Sequence, residues 1–255
     1  MRSRERSPKV LLERVVRKLA TQAEKRYPPE YPDMDAGFLA ARERFSEFTM
    51  TSIERQFSLW KSLEYLDRAG IEGDFLECGV WRGGSSMLAA IALQGLGDRE
   101  RDLWLFDTFE GMSTPSEHDV SIDGSKMTEV WDQIEGQTSD PVFAYGSLEE
   151  VRRNMASTGY PEERLHFVKG KVEETIPGDL PGKIALLRLD TDWYESTRHE
   201  LEHLWPLLVP GGVLIIDDYG HWAGARRAVD EFFADRVDAP LLNRVDYTAR
   251  VGVKR

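Results

Sequence analysis

Two stretches decide the fold: IALLRLDTDWY, residues 184–194, and PGGVLIIDDYG, residues 210–220. Short aliphatic runs bounded by acidic, Gly or Pro residues are what a sheet covered on both faces requires, so Ile184–Leu189 and Val213–Ile216 are predicted to be buried strands. Between them lies a helical pattern with a Pro-Gly-Gly stop. The strands are therefore joined by a crossover and lie parallel, carboxyl ends together. Asp190, Asp192, Asp217 and Asp218 then crowd one crevice. Carboxylates that close repel unless a cation or a shared proton compensates them, and donors with only hard oxygen fit Mg²⁺, Mn²⁺ or Ca²⁺ rather than Zn²⁺. Asp190, Asp217 and Asp218 are assigned to the ion. Asp192 stands two residues past the strand end, placed to lean toward a substrate and take its proton.

Working outward, DFLECGV (74–80) is a further strand that runs into WRGGSS and an apolar helix. Leu103–Phe106, ending at Asp107, and Leu165–Val168 add two more. Leu241–Asp246 and Thr248–Val253 read as an antiparallel hairpin. Five βα units closed by that hairpin describe an α/β fold, an open, doubly wound, Rossmann-like sheet of five parallel strands with N-terminal helical additions. Before the sheet, Thr51 and Glu54 form a capping-box signature for a helix that Gly70 ends. Residues 108–146 are long, polar and weakly periodic, the character of a lid or substrate insert. Residues 1–50 form an extension with a Pro-rich connector, and residues 51–255 form the main domain.

The composition narrows the function classes. With 255 residues, 41% of them hydrophobic, the chain can bury one large core. A formal charge of −12 argues against nucleic acid as a partner. The single cysteine, Cys78, excludes an internal disulfide and a cysteine zinc site, and fits a reducing compartment. No apolar run reaches transmembrane length, so a cytoplasmic protein without membrane contact is expected. Residues 1–26 carry nine Lys or Arg against three Glu on a helical apolar pattern. Such a basic helix suits docking or a homo-oligomer contact.

In ECGVWRGGSS (77–86) the glycines permit a tight turn and close approach of a ligand to the backbone, but Trp81 stands where a dinucleotide-binding turn needs its second Gly. Glu77 at the strand end suits a cationic amine. Asp107, at the end of the next strand, is placed like the acid that accepts both ribose hydroxyls of an adenosine ligand. Together these fit S-adenosylmethionine, with Glu77, Gly79, Trp81, Gly83, Ser85, Asp107 and Gly170 as candidate binding residues. His199-Glu-Leu-Glu-His203 matches a zinc-protease pattern. On a helical wheel its histidines lie opposite Leu201, Leu204 and Leu208 and should face water, and no third ligand is signalled. Cys78 is read as inert packing.

In order and spacing, ECGVWRGG (77–84), FDTFEG (106–111), LRLDTDWY (187–194) and PGGVLIIDDY (210–219) resemble the macrocin O-methyltransferase family, whose members methylate sugar hydroxyls on macrolide and related antibiotics. The resemblance implies a class I methyltransferase fold, S-adenosyl-L-methionine, Mg²⁺ (or Mn²⁺) and a deoxysugar acceptor, either on a glycoside or on a nucleotide-linked sugar. It puts Asp190, Asp217 and Asp218 at the metal and Asp192 as base, in agreement with the spacing. Tyr219 and His221, just past the second acid pair, are candidates for substrate contact. Two other readings stay open: a phenolic or catechol acceptor, and an assembly protein that binds S-adenosylmethionine without turnover.

Overall fold

A computed structural model describes residues 31–140 and 142–255. The described residues divide into two units at Leu39, the larger being Ala40–Arg255. The basic helix expected in residues 1–26 lies outside the described residues. Helix α1 (Ala36–Arg42) is opened by Asp35, whose carboxylate accepts the Phe38 N–H at 2.8 Å. Residues 40–50, read from sequence as part of the extension, fall in the larger unit.

The larger unit runs α2 (Ile53–Ala69), β1 (Asp74–Cys78), α3 (Gly84–Leu96), β2 (Leu103–Asp107), α4 (Met127–Ile134), α5 (Leu148–Thr158), β3 (Leu165–Lys169), α6 (Val172–Thr175), β4 (Ile184–Leu189), α7 (Tyr194–Leu204), β5 (Leu208–Ile216), α8 (Ala223–Phe233), β6 (Asn243–Arg244) and β7 (Arg250–Val253). Among the described residues seven strands make one sheet in the order β3-β2-β1-β4-β5-β7-β6. The first five are parallel, and β7 pairs antiparallel with β5 and with β6. Strands covered by helices on both faces bury nearly every side chain, which is why β1, β4 and the second half of β5 read as unbroken aliphatic runs. Leu76, Phe106, Leu187, Leu214 and Trp205 lie in one continuous core. Each such Leu or Phe contributes roughly 1.5–3 kcal/mol by leaving water.

Register places the site. Cys78 pairs with Leu189 and Leu189 with Ile216. Beyond the strands the ladder continues, with Asp190 N–H donating to Cys78 O and Asp217 N–H to Leu189 O, each at 2.9 Å. Gly79, Asp190 and Asp217 therefore stand side by side where the strand order reverses, between β1 and β4, and ligands of open α/β sheets bind at such a reversal.

Two local readings need correction. The cap of α2 is Ser52, not Thr51: Ser52 Oγ accepts the Arg55 N–H at 3.2 Å, while Thr51 Oγ1 bonds Thr49 Oγ1 at 2.9 Å. Pro210-Gly211-Gly212 does not stop a helix. Helix α7 ends at Leu204, a 3₁₀ turn with Pro206 follows, and the Pro-Gly-Gly lies inside β5, where its register against β4 slips. A bulge tolerates a proline without an N–H and uses Gly211 at φ +81°. The terminal hairpin forms as expected, with shorter strands, because Asp246 turns the chain by accepting the Thr248 and Ala249 N–H groups at 2.9 and 2.8 Å.

Candidate active site

A cleft of about 390 Å³ opens at the carboxyl ends of the parallel strands. Glu77, Gly79, Trp81, Ser85, Asp107, Gly170, Asp190, Asp192, Asp217, Asp218 and His221 all line it. Gly83 and Tyr219 are not among the lining residues. Gly83 instead starts α3 in a left-handed conformation, and the Tyr219 hydroxyl donates to Asp230 at 2.7 Å.

Gly79 carries φ +82°, and a Cβ there would lie 1.9 Å from the Asp190 carbonyl oxygen. That near-contact keeps the turn after β1 against the first acid pair. Gly79→Ala is expected to cost more than the ~1 kcal/mol of an ordinary alanine at positive φ, because backbone must shift as well. Titration calorimetry with S-adenosylhomocysteine should show at least about tenfold weaker binding; unchanged affinity would mean the turn does not shape the cofactor site.

Asp107 serves that same turn. Its Oδ2 accepts the Val80 and Trp81 N–H groups at 2.6 and 3.0 Å, and its Oδ1 accepts that of Phe109 at 2.6 Å. The Thr108 hydroxyl lies 3.4 Å from the same Oδ1, a longer and weaker contact that a better-placed hydroxyl could replace. Glu77 is 1% exposed and accepts from Ser86 Oγ and, at 2.6 Å, from Arg188. Burial raises its pKa, and Arg188 opposes the shift.

Arg188 is the residue that the sequence reading passed over. It is the one charge inside the β4 run, and it is 3% exposed. Its guanidinium reaches Glu77 and Asp190, each at 2.6 Å, and Asp217 at 2.7 Å, spanning the ends of three strands. Arg55 of α2 pairs with Asp217 from the other side. The cleft also gains Thr49, Met50, Trp222, Tyr247 and Thr248, none of which carried a sequence signal.

Two guanidinium groups thus occupy Asp217. The three carboxylates with oxygens within 4.8 Å of one another are Asp190, Asp192 and Asp218. Burial and mutual repulsion push Asp190 and Asp218 well above the usual carboxylate range. Asp192, beside Asp218, is raised to about 7, chiefly by burial and then by the Asp190 charge. It adopts φ +68°, unusual for a residue with a Cβ. Asp218 Oδ2 is buried with no partner. These oxygens fit a divalent cation, which would replace the protons the acids otherwise need.

The histidines of the zinc-protease pattern are half-buried rather than turned to water. His199 Nε2 donates to Ile176 O at 2.7 Å and His203 Nδ1 to His199 O at 2.9 Å, so each ring is tied to backbone. Glu200 between them is fully buried and accepts from Thr191 Oγ1 at 2.9 Å. Burial lifts its pKa far above the carboxylate range, and it does the same to the Cys78 thiol, which stays inert.

Strand order, glycine turn and acid-lined cleft together define a methyltransferase of the Rossmann-like class. A family model described as macrocin O-methyltransferase (TylF) matches residues 3–252. The chain belongs to that family and is an S-adenosylmethionine-dependent O-methyltransferase. The 8-demethyl-8-(2,3-dimethoxy-alpha-L-rhamnosyl)-tetracenomycin-C 4'-O-methyltransferase of Streptomyces olivaceus is 36% identical over 188 residues, which are 74% of this chain and 69% of that one. The mycinamicin III 3''-O-methyltransferase of Micromonospora griseorubida is 34% identical over 72% of this chain and 69% of its own. Among solved structures, the O-methyltransferase NovP superposes with a TM-score of 0.68 at 31% identity, covering 81% of each chain.

Proposed function

We propose that this enzyme methylates a hydroxyl of a deoxysugar already attached to a natural-product aglycone, with a divalent cation at the acid cluster. The carrying observation is the charge of the cleft. Its lining holds Glu77, Asp107, Glu173, Asp190, Asp192, Asp217 and Asp218 against Arg55 and Lys171, and Arg55 is already paired with Asp217 and Asp246. A nucleotide-linked sugar would bring a diphosphate into this field without the cationic fork that phosphate recognition uses. A neutral glycoside meets no such penalty. The names of the two curated relatives, a rhamnosyl-tetracenomycin and a mycinamicin enzyme, support the same choice.

In this reading Glu77 accepts the ammonium of S-adenosylmethionine, Asp107 a ribose hydroxyl, and Gly79, Trp81, Ser85 and Gly170 the surrounding contacts. Asp190 and Asp218 would hold Mg²⁺ or Mn²⁺, with Asp217 a ligand only if it left the Arg55 and Arg188 guanidinium groups. The ion supplies Lewis acidity that lowers the pKa of the acceptor hydroxyl. Asp192, two residues past the end of β4 and beside the acids assigned to the ion, takes the proton. His221, partly buried and on the cleft wall, contacts the acceptor. The deciding experiment is transfer of labelled methyl to mature glycosides, nucleotide deoxysugars and catechols, each with Mg²⁺ and with EDTA. Chelator-sensitive labelling of glycosides alone is expected. Labelling of nucleotide sugars or catechols reassigns the acceptor, and indifference to EDTA removes the ion.

The acid cluster also predicts a pH dependence. The folded pKa of Asp192 lies above the unfolded value of about 3.9, so the folded protein binds the extra proton between the two values, and its stability falls as pH rises from about 4 to 7. A cation that takes the proton's place is therefore expected to raise Tm more at pH 8 than at pH 6, and to release protons on binding. Saturation at 100 Kd corresponds to about 2.7 kcal/mol. Thermal shift with and without Mg²⁺ at the two pH values checks this, and equal shifts would contradict it.

A further inference from the structure

The 108–146 insert is fastened to both acid-bearing loops, and the fastening centres on one buried carboxylate. Asp119 is 1% exposed. Its Oδ1 accepts the Tyr194 N–H at 2.8 Å, at the start of α7, two residues past Asp192. The same oxygen lies against the first turn of α8: a Cβ on Gly224 would come within 2.4 Å of it. Its Oδ2 accepts from Ser116 N and Oγ at 2.6 and 2.9 Å, and its carbonyl accepts the Met127 N–H at 2.9 Å.

Neither helix caps itself. The N-cap residues of α7 and α8 are Trp193 and Trp222, which offer no side-chain acceptor. Asp119 supplies the missing negative charge between the two positive helix ends. The rest of the insert reinforces the joint. Trp193 Nε1 donates to Ser113 O at 2.8 Å, Ala223 N–H to Val120 O at 2.9 Å, and Ser121 bridges Trp222. The two tryptophan rings meet edge to face at 5.1 Å.

We propose that Asp119 is a positioning residue: it fixes the Asp190–Asp192 loop and the Asp217–Asp218 loop at one spacing and holds Asp192 in its left-handed turn. A strained residue keeps such a conformation only while its surroundings determine it, and the Tyr194 N–H bond to Asp119 is one of those determinants, beside the Thr191–Glu200 and Trp193–Ser113 bonds. The role rests on the methyl-transfer reading above, and it makes part of the insert a fixed wall of the cleft.

The test uses Asp119→Asn and Asp119→Ala, with Asp132→Ala, an exposed acid of the same insert, as control. Asparagine keeps an acceptor for Tyr194 but loses the charge and the second acceptor, so it should be intermediate. For Asp119→Ala, kcat should fall by about 10²-fold, since displacements near 1 Å at a reacting centre cost that much. Affinity for S-adenosylhomocysteine should stay within about twofold, because Glu77 and Asp107 lie on other strands. Hydrogen exchange should accelerate in residues 190–194 and 217–224 together. Exchange that changes in only one loop, or wild-type kcat in a variant with lowered Tm, overturns the proposal. If the alanine variant does not fold, Asp119→Asn carries the same readouts. Should no acceptor be found even for the wild type, the function reading fails on its own, and paired exchange still decides the role of Asp119.

Discussion

Asp192→Asn is expected to lower kcat by about 10²- to 10⁴-fold, the usual contribution of a positioned base. The amide keeps the size of the carboxylate and removes a buried charge, so the fold should survive. S-adenosylhomocysteine affinity, measured by calorimetry, should be unchanged, because the amine and ribose are assigned to other carboxylates, Glu77 and Asp107. The ion-induced rise in Tm is the second readout. If it persists while turnover is lost, Asp192 is the base. If both vanish, Asp192 joins Asp190 and Asp218 as a ligand, as their 4.8 Å grouping permits. Retained turnover would sink the assignment.

Arg188→Met should have the largest effect on stability, about 3–5 kcal/mol, the cost of stripping a buried ion pair of one partner. Glu77, Asp190 and Asp217 would lose the guanidinium they share at 2.6–2.7 Å. The sign with pH follows. Carboxylates left without a cation are raised in the folded state, so folding takes up protons and the deficit grows with rising pH. Urea unfolding should show a larger loss at pH 8 than at pH 5.5. A loss below about 1 kcal/mol would mean that Arg55 and solvent suffice, and that the buried pairs are no more than surface-like ones. Arg188→Lys keeps the charge without the fork and should fall between.

The parallel strands were legible because burial on both faces leaves an aliphatic run, and the acids beyond Leu189 and Ile216 were legible because they interrupt it. What burial does to those acids was harder to see. Arg188 was visible as the sole charge in such a run, but its three partners come from three strand ends brought together by register. Pro210-Gly211-Gly212 misled because a helix stop and a bulge share the same local chemistry. The difference lies in pairing, with Gly211 N–H donating to Lys254 O at 2.8 Å. Asp119 was beyond reach: it sits in an aperiodic polar insert, and its partner Tyr194 is 75 residues away.

The place of β7 has a consequence for shortened forms of the chain. Strand β5 leads into the second acid pair and, among the described residues, pairs on its outer side with β7, four residues against four, while Thr248 Oγ1 caps the Asp217 carbonyl at 2.8 Å. A protein cut before residue 243 would keep all five parallel strands, so its core would look complete. It would also present the aliphatic edge of Val213–Ile216 with free N–H and C=O groups, which templates pairing with other chains. Such a truncation is therefore an aggregation hazard rather than a minimal enzyme.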